Sequence, residues 1–305
     1  MLIRRRDFMA AIGAAAAAGA APVWAMTTAS TPLEVAYAGS MTAVMEQAIG
    51  PAAGRALGVA LRGRAQGANA LAHEITGGSL RADVFIAVTA EPMAIVLQAG
   101  MARTAAAIAR TEMVIAYAPR GKFAAALAQG QPWWRILETP GLRFGRTDPS
   151  ADPQGRNIIY VCELAERYYR QPGLAARILG PTMNPRQIFA EAMVEGRLQS
   201  GELDAASAYR TQPGPFHIPY VRLPAAINLS EALTEADRGI ALTLDGRTYR
   251  PQALIFYAAA LTAAPQPAAA RAFVRWLGGA QAQALLRQYG YDAAGGEAPL
   301  VAAHG

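Results

Sequence analysis

The sequence predicts an α/β protein built on mainly parallel sheets. Three observations carry that expectation. Short apolar runs of strand length alternate with segments of helical spacing, the runs are continuously apolar, and Gly- and Pro-bearing junctions separate them. Continuously apolar strands between helices belong to sheets covered on both faces. The chain has 305 residues, 53% of them hydrophobic, which suits one large domain or two ordinary ones and rules out global disorder.

Leu33–Ala38 reads as the first buried strand, and Met41, Val44, Met45, Ala48 and Ile49 give Met41–Leu57 a helical stripe. Val59–Arg62 reads as a strand, Ala68–Thr76 as a helix, Ala82–Val88 as a strand and Glu91–Ala99 as a helix. Glu112–Ala118 continues as a strand, followed by helical Phe123–Gln129 and Pro132–Glu138. Leu142–Thr147 is then a strand and Gly155–Arg170 a long amphipathic helix. Pro185–Ser200 has helical spacing that turns Ile188, Met193, Val194 and Leu198 inward. Leu203–Tyr209, Tyr220–Leu223, Ile240–Leu244 and Leu254–Ala259 read as strands, and Ala268–Gln288 as one terminal helix.

Residues 1–25 have the order of an export signal: basic Arg4 to Arg6, an Ala-rich apolar stretch, then Val23-Trp24-Ala25 as a small-residue cleavage site. Arg5-Arg6-Asp7-Phe8-Met9 matches the twin-arginine pattern, so a twin-arginine signal and a periplasmic location are expected. A Sec signal, or cleavage after Ala29, is the other possibility. No later apolar stretch reaches ~20 residues, so no stable membrane insertion is expected after signal removal.

Charge says less than its total suggests. Of 28 basic residues only Lys122 is lysine, the arginines are spread evenly, and no run of five like charges occurs. A nucleic-acid partner is therefore not expected. Removing residues 1–25 lowers the formal charge from +6 to +4, a mild field compatible with a small anion. A single cysteine, Cys162, excludes an intramolecular disulfide framework and a cysteine metal cluster.

Three helix starts directly follow strands: Gly39-Ser40, Gly67-Ala68-Asn69 and Asp152-Pro153-Gln154-Gly155. Such junctions lie at the carboxyl edge of a parallel sheet, where free N–H groups and the helix dipole favour an anion. Ser40 also suits a plain helix cap.

The block Phe144-Gly145-Arg146-Thr147-Asp148-Pro149-Ser150-Ala151-Asp152-Pro153-Gln154-Gly155 and the following Cys162–Tyr169 are distinctive. With Ala38-Gly39-Ser40, Ala82-Asp83-Val84-Phe85, Gly201-Glu202-Leu203-Asp204 and Leu223-Pro224, they stand in the order of one family. Over about residues 33–290 the chain resembles the periplasmic binding proteins of molybdate/tungstate ABC transporters, in particular the tungstate-type branch. The resemblance implies a type II periplasmic-binding-protein fold, with two α/β lobes joined by crossing strands and a ligand cleft between them. It implies lobe I at 31–110 plus 225–291, lobe II at 111–224, and a loose tail at 292–305. It further implies a non-catalytic protein that captures an oxyanion, molybdate or tungstate first, for a membrane ABC permease.

Ligand positions carry over residue by residue. Gly39 and Ser40 match the first helix start, Asp152 the carboxylate that approaches the metal centre, and Tyr209 the tyrosine after the Gly-Glu-x-Asp turn. Ala68, followed by Asn69, stands where the family has serine, and Ala208 where the tungstate-type branch has a second carboxylate. Those departures argue against an expanded six-coordinate centre and leave open another oxyanion, a small carboxylate, or a sensory role. A carboxylate beside a dianion is repulsive unless it ligates metal, is protonated or is paired. Arg146, Arg156 and Arg210 are the candidate partners.

Other chemistry is not supported. His73, His217 and His304 share no metal spacing, so no free metal cation and no cofactor is expected. Tyr168-Tyr169 and Cys162 read as packing residues, and Asp83 as a carboxylate that caps backbone. There is no Gly-x-Ser-x-Gly elbow and no dinucleotide fingerprint, so an exported enzyme is the weaker alternative.

Overall fold

The computed structural model describes residues 30–231 and 234–302; the export signal read at 1–25 lies outside them. The strands in chain order are β1 Thr31–Ala38, β2 Val59–Gln66, β3 Val84–Val88, β4 Thr104–Arg110, β5 Met113–Tyr117 and β6 Phe144–Gly145. They continue with β7 Ala205–Tyr209, β8 Tyr220–Arg222, β9 Leu242–Leu244, β10 Arg247–Tyr249, β11 Ile255–Ala260 and β12 Leu300–Val301.

Two sheets divide the chain into two lobes. The first has the order β12-β4-β11-β3-β1-β2, the second β6-β7-β5-β8, and β9 with β10 forms a separate hairpin. β1 runs parallel to β2 and β3, and β6 parallel to β7, while β11 and β5 lie antiparallel to their neighbours. Burial explains the central strands: every residue of β3, β5 and β7 is buried, as the continuously apolar runs require. Thr111-Glu112 connects β4 of the first sheet to β5 of the second. Glu112 there accepts from Arg222 Nε (2.8 Å) and Asn228 Nδ2 (2.8 Å) and pairs with Arg210.

Several expected elements differ, each for a local reason. The helix expected from Pro185 begins at Glu191. Residues 185–190 are drawn away because Arg146 N–H donates to Gln187 O (2.7 Å) and Phe189 N–H to Arg146 O (2.9 Å). Met193 then faces solvent at 46% exposure, not the core. The single terminal helix is two, Pro267–Leu277 and Ala280–Gln288, broken at Gly278-Gly279. Residues 292–302 are not a loose tail: Asp292 bridges Arg110, and Leu300 pairs with Ala105 on β4. Asp83 caps backbone as expected, accepting from Glu34 N–H (2.9 Å) and Gln266 N–H (2.6 Å).

Candidate functional site

A cavity of about 830 Å³ opens between the lobes. Its walls come from segments that follow the carboxyl ends of β1, β2, β6 and β7, together with the start of the helix Glu191–Ser200. Lobe I contributes Gly39, Ser40 and Gly67; lobe II contributes Asp152, Glu191 and Gln212.

Local sequence positions each group. Gly39-Ser40-Met41 forms a 3-10 turn that leads the first helical segment out of β1. Ser40 is 6% exposed, its carbonyl accepts from Tyr291 Oη (3.3 Å), and its Oγ has no partner. Asp152 caps the helix Pro153–Tyr169, with Oδ1 accepting from Gln154 N–H (3.0 Å) and Pro153 in the first turn. Its Oδ2 is buried without a partner at hydrogen-bond geometry, beside the Thr147 hydroxyl. Gly155 lets that helix start lie on the preceding turn: a Cβ there would stand 2.4 Å from Thr147 O and 2.7 Å from Pro149 N.

A chain of carboxamides places Glu191. Gln154 Nε2 donates to Ser207 O (3.2 Å) and Gln212 Oε1 (3.0 Å), and Tyr209 N–H donates to the same Gln212 oxygen (2.7 Å). Gln212 Nε2 then donates to Glu191 Oε1 (3.3 Å). The other oxygen, Glu191 Oε2, comes within 2.1 Å of where a Cβ on residue 39 would sit, so a side chain there would push the carboxylate off this position. Glu191 thus reaches from lobe II to the first helix start of lobe I.

The electrostatics of the cavity are one-sided. Its lining acids are Glu46, Asp148, Asp152, Glu191 and Glu195, and no Arg, Lys or His lines it among the described residues. Burial raises the Asp152 carboxyl above the usual carboxylate range, against the pull of the Gln154 N–H. Burial and then the Asp152 charge push Glu191 well up, and burial lifts Glu195 to about 7. The Tyr209 phenol is held well above its ordinary value by burial and by Asp152 and Glu191, and its Oη accepts from Asn157 Nδ2 (3.0 Å).

The residues expected at the site divide into two groups. Gly39, Ser40 and Asp152 line the cavity; Ala68, Asn69, Tyr209, Arg146 and Arg156 are buried but are not among its lining residues. Arg146 donates to Gln187 Oε1 (3.2 Å), Pro181 O (3.2 Å) and Thr182 O (2.6 Å), and so secures the 181–188 loop. Arg210 is held at the crossing by Glu112 and Asp292. Ala208 faces Val114 within the second sheet.

Arg156 joins the lobes. Its Nη2 donates to Glu91 Oε2 (2.9 Å), its Nη1 to Pro149 O (2.9 Å), and its guanidinium lies 4.3 Å over the Tyr249 ring. Glu91 Oε1 accepts from Asn69 Nδ2 (3.0 Å). A carboxylate only accepts, so the amide nitrogen of Asn69 must face it, leaving the unpaired Asn69 Oδ1 as an acceptor. Asn69 is buried outside the cavity lining, so it does not stand where the donor that Ala68 lacks would be needed. Glu91 and Glu191 escaped the sequence reading. The one available signal was an acid in the first turn of each helix.

The bacterial extracellular solute-binding protein family matches residues 33–292. A Haloferax volcanii protein named for molybdenum binding by an ABC transporter is 33% identical over 126 residues, 41% of this chain and 40% of that one. The molybdate/tungstate-binding protein WtpA of Thermococcus kodakarensis is 26% identical over 208 residues, 60% of this chain and 58% of that one. The chain thus spans less than two thirds of the length of these relatives, whereas a Halobacterium salinarum solute-binding protein is matched over 88% of its length at 27% identity. Among solved structures, the periplasmic molybdate-binding protein of Azotobacter vinelandii aligns at TM-score 0.58 and 16% identity, covering 85% of this chain and 98% of that chain. The sulfate-binding protein SubI of Mycobacterium tuberculosis aligns at 0.59 and 15%, covering 86% and 87%. At these identities the likeness is one of fold, the two-lobed type II periplasmic-binding fold. No helix among the described residues is long and apolar enough to cross a membrane. With a family match that takes in both lobes and the cleft between them, the chain belongs to the bacterial extracellular solute-binding proteins.

Proposed function

We propose that this protein captures an oxyanion, molybdate or tungstate, in the periplasm and delivers it to a membrane ABC permease without chemical change. The observation that carries the reading is the inter-lobe cavity, where Ser40 Oγ and Asp152 Oδ2 from opposite lobes stand buried and unpaired. A tetrahedral oxyanion offers acceptors to the Ser40 hydroxyl and the Gly39–Met41 turn, and a metal centre to which a carboxylate oxygen adds. Relatives named for molybdate, tungstate or molybdenum support the choice of solute. Export through the twin-arginine route at residues 1–25, and lobe limits near 110/111 and 224/225, belong to the same proposal.

Thermal unfolding with molybdate, tungstate, sulfate, phosphate and vanadate tests it. A solute at 100 times its dissociation constant stabilises by ~2.7 kcal/mol, which for a domain of this size is a shift of several degrees. Midpoints unmoved by both molybdate and tungstate would refute the proposal.

A further inference from the structure

The cavity is larger than a tetrahedral oxyanion needs. Such an ion displaces about three or four waters, roughly 100 Å³, whereas the cavity holds about 830 Å³. Splayed lobes do not account for the excess, because the lobes already touch beside it. Arg156 of lobe II pairs with Glu91 of lobe I, a Cβ on Gly67 of lobe I would stand 3.0 Å from Ala151 O of lobe II, and Glu191 reaches Gly39. Clefts that enclose an organic molecule measure about 300–1,000 Å³. Ser40 and Asp152 use one part of the space, and the rest has its own polar and aromatic lining. Glu46 and Gln47 come from the helical stretch after β1, and Glu195 and Gln199, four residues apart, from one face of Glu191–Ser200. Glu46 Oε1 accepts from Tyr37 Oη (3.3 Å) and Gln47 Oε1 from Tyr289 Oη (3.2 Å), which leaves the Gln47 amide nitrogen as its donor end. Phe216 completes the group: it is 45% exposed, lines the cavity, and its carbonyl accepts from Gln199 Nε2 (3.0 Å).

We propose that this second part of the cleft is a polyol subsite, and that the solute enters as an oxyanion bound to a vicinal diol. The proposal rests on the oxyanion reading and names the form in which the ion arrives. A carboxyl accepts from a hydroxyl when ionised and donates to one when protonated, and a carboxamide does both. Glu46, Gln47, Glu195 and Gln199 therefore match a row of hydroxyl groups, and the two carboxamides favour neutral hydroxyls over a cation. Phe216 offers an apolar ring to the C–H face of the same molecule. Molybdate and tungstate condense with vicinal diols in water. Two C–O–metal bonds form, one oxo oxygen leaves as water with both hydroxyl protons, no electron moves, and the double negative charge is kept. The remaining oxo groups suit the Ser40 hydroxyl and the Gly39–Met41 turn, and the carbon chain suits the lining around Phe216.

Titration calorimetry with molybdate alone, molybdate in excess mannitol, and mannitol alone tests this. It is run on the unaltered protein, on Phe216→Ala, and on Met193→Ala as a control, since Met193 is exposed on the same helix as Glu195 but does not line the cavity. Both substituted side chains are exposed, and urea unfolding confirms that each variant is folded. The quantity read is the ratio of apparent molybdate affinities with and without mannitol. A ratio of about tenfold or more in the unaltered protein and in Met193→Ala, lost in Phe216→Ala, supports the proposal. A ratio of one or less overturns it, because a site that takes only the bare ion loses molybdate to mannitol in solution. A ratio equally high in Phe216→Ala overturns it too. Failure of molybdate and tungstate to bind alone would instead refute the oxyanion reading. The heat of mannitol alone then decides the subsite: binding weakened in Phe216→Ala supports it, and no binding overturns it.

Discussion

The pair Arg156–Glu91 ties the two lobes together, and its removal yields a number that can be checked. The Arg156 side chain is 2% exposed and that of Glu91 28%. Breaking a fully buried pair from one side costs about 3–5 kcal/mol, and partial exposure of Glu91 brings the coupling to about 1–2 kcal/mol. Arg156→Met also loses the hydrogen bond to Pro149 O and the stacking on Tyr249, each worth about 1 kcal/mol. The total for Arg156→Met is therefore about 3–4 kcal/mol. Glu91→Gln keeps an acceptor for Asn69 but turns an amide nitrogen toward Arg156, so it loses the hydrogen bond from Nη2 together with the charge, about 1–2 kcal/mol. Urea unfolding of the unaltered protein, the two single variants and the double variant measures the coupling directly. A coupling below about 0.5 kcal/mol would mean that the contact does not hold the lobes, and the reasoning fails.

Further expectations follow from single atoms. Ser40→Ala removes a hydroxyl that has no internal partner, so calorimetry should show solute affinity down about tenfold while the unfolding midpoint barely moves. Gly155→Ala drives a methyl against Thr147 O and should cost about 2–3 kcal/mol in urea unfolding, since the obstacle is backbone. Glu195, raised to about 7, holds its proton in the folded state above the pH at which the unfolded chain releases it. Its contribution to stability should therefore fall as pH rises from ~4.5 to ~7 and level off above, and Glu195→Gln should flatten that fall in pH-dependent unfolding.

Much of this architecture was legible from local pattern. Asp152-Pro153 marks a helix start because a capping carboxylate and a first-turn proline act within three residues. Gly39-Ser40 was legible for the same reason, as a turn directly after a buried strand. What stayed hidden depends on partners far along the chain. Arg156 read as a candidate anion ligand because Glu91, 65 residues earlier, was not visible as its partner. Glu191 was hidden by a periodicity that ran the helix back to Pro185; the tertiary pairing of Gln187 and Phe189 with Arg146 overrides it. Thr104–Arg110 went unread because its alanines carry little strand preference, and its neighbours β11 and β12 lie about 150 and 195 residues away along the chain.

The short strand β12 has a practical meaning for handling the protein. It covers the outer side of β4, and residues leading to it are tied down by Arg110, which donates to Ala294 O (2.9 Å) and pairs with Glu297. Without residues 292–302, β4 would present a bare row of N–H and C=O groups along the rim of a six-stranded sheet. Such a rim templates pairing with another chain. Trimming this segment to tidy an expression clone would exchange a covered rim for a self-associating one, so purification tags are better joined beyond it than substituted for it.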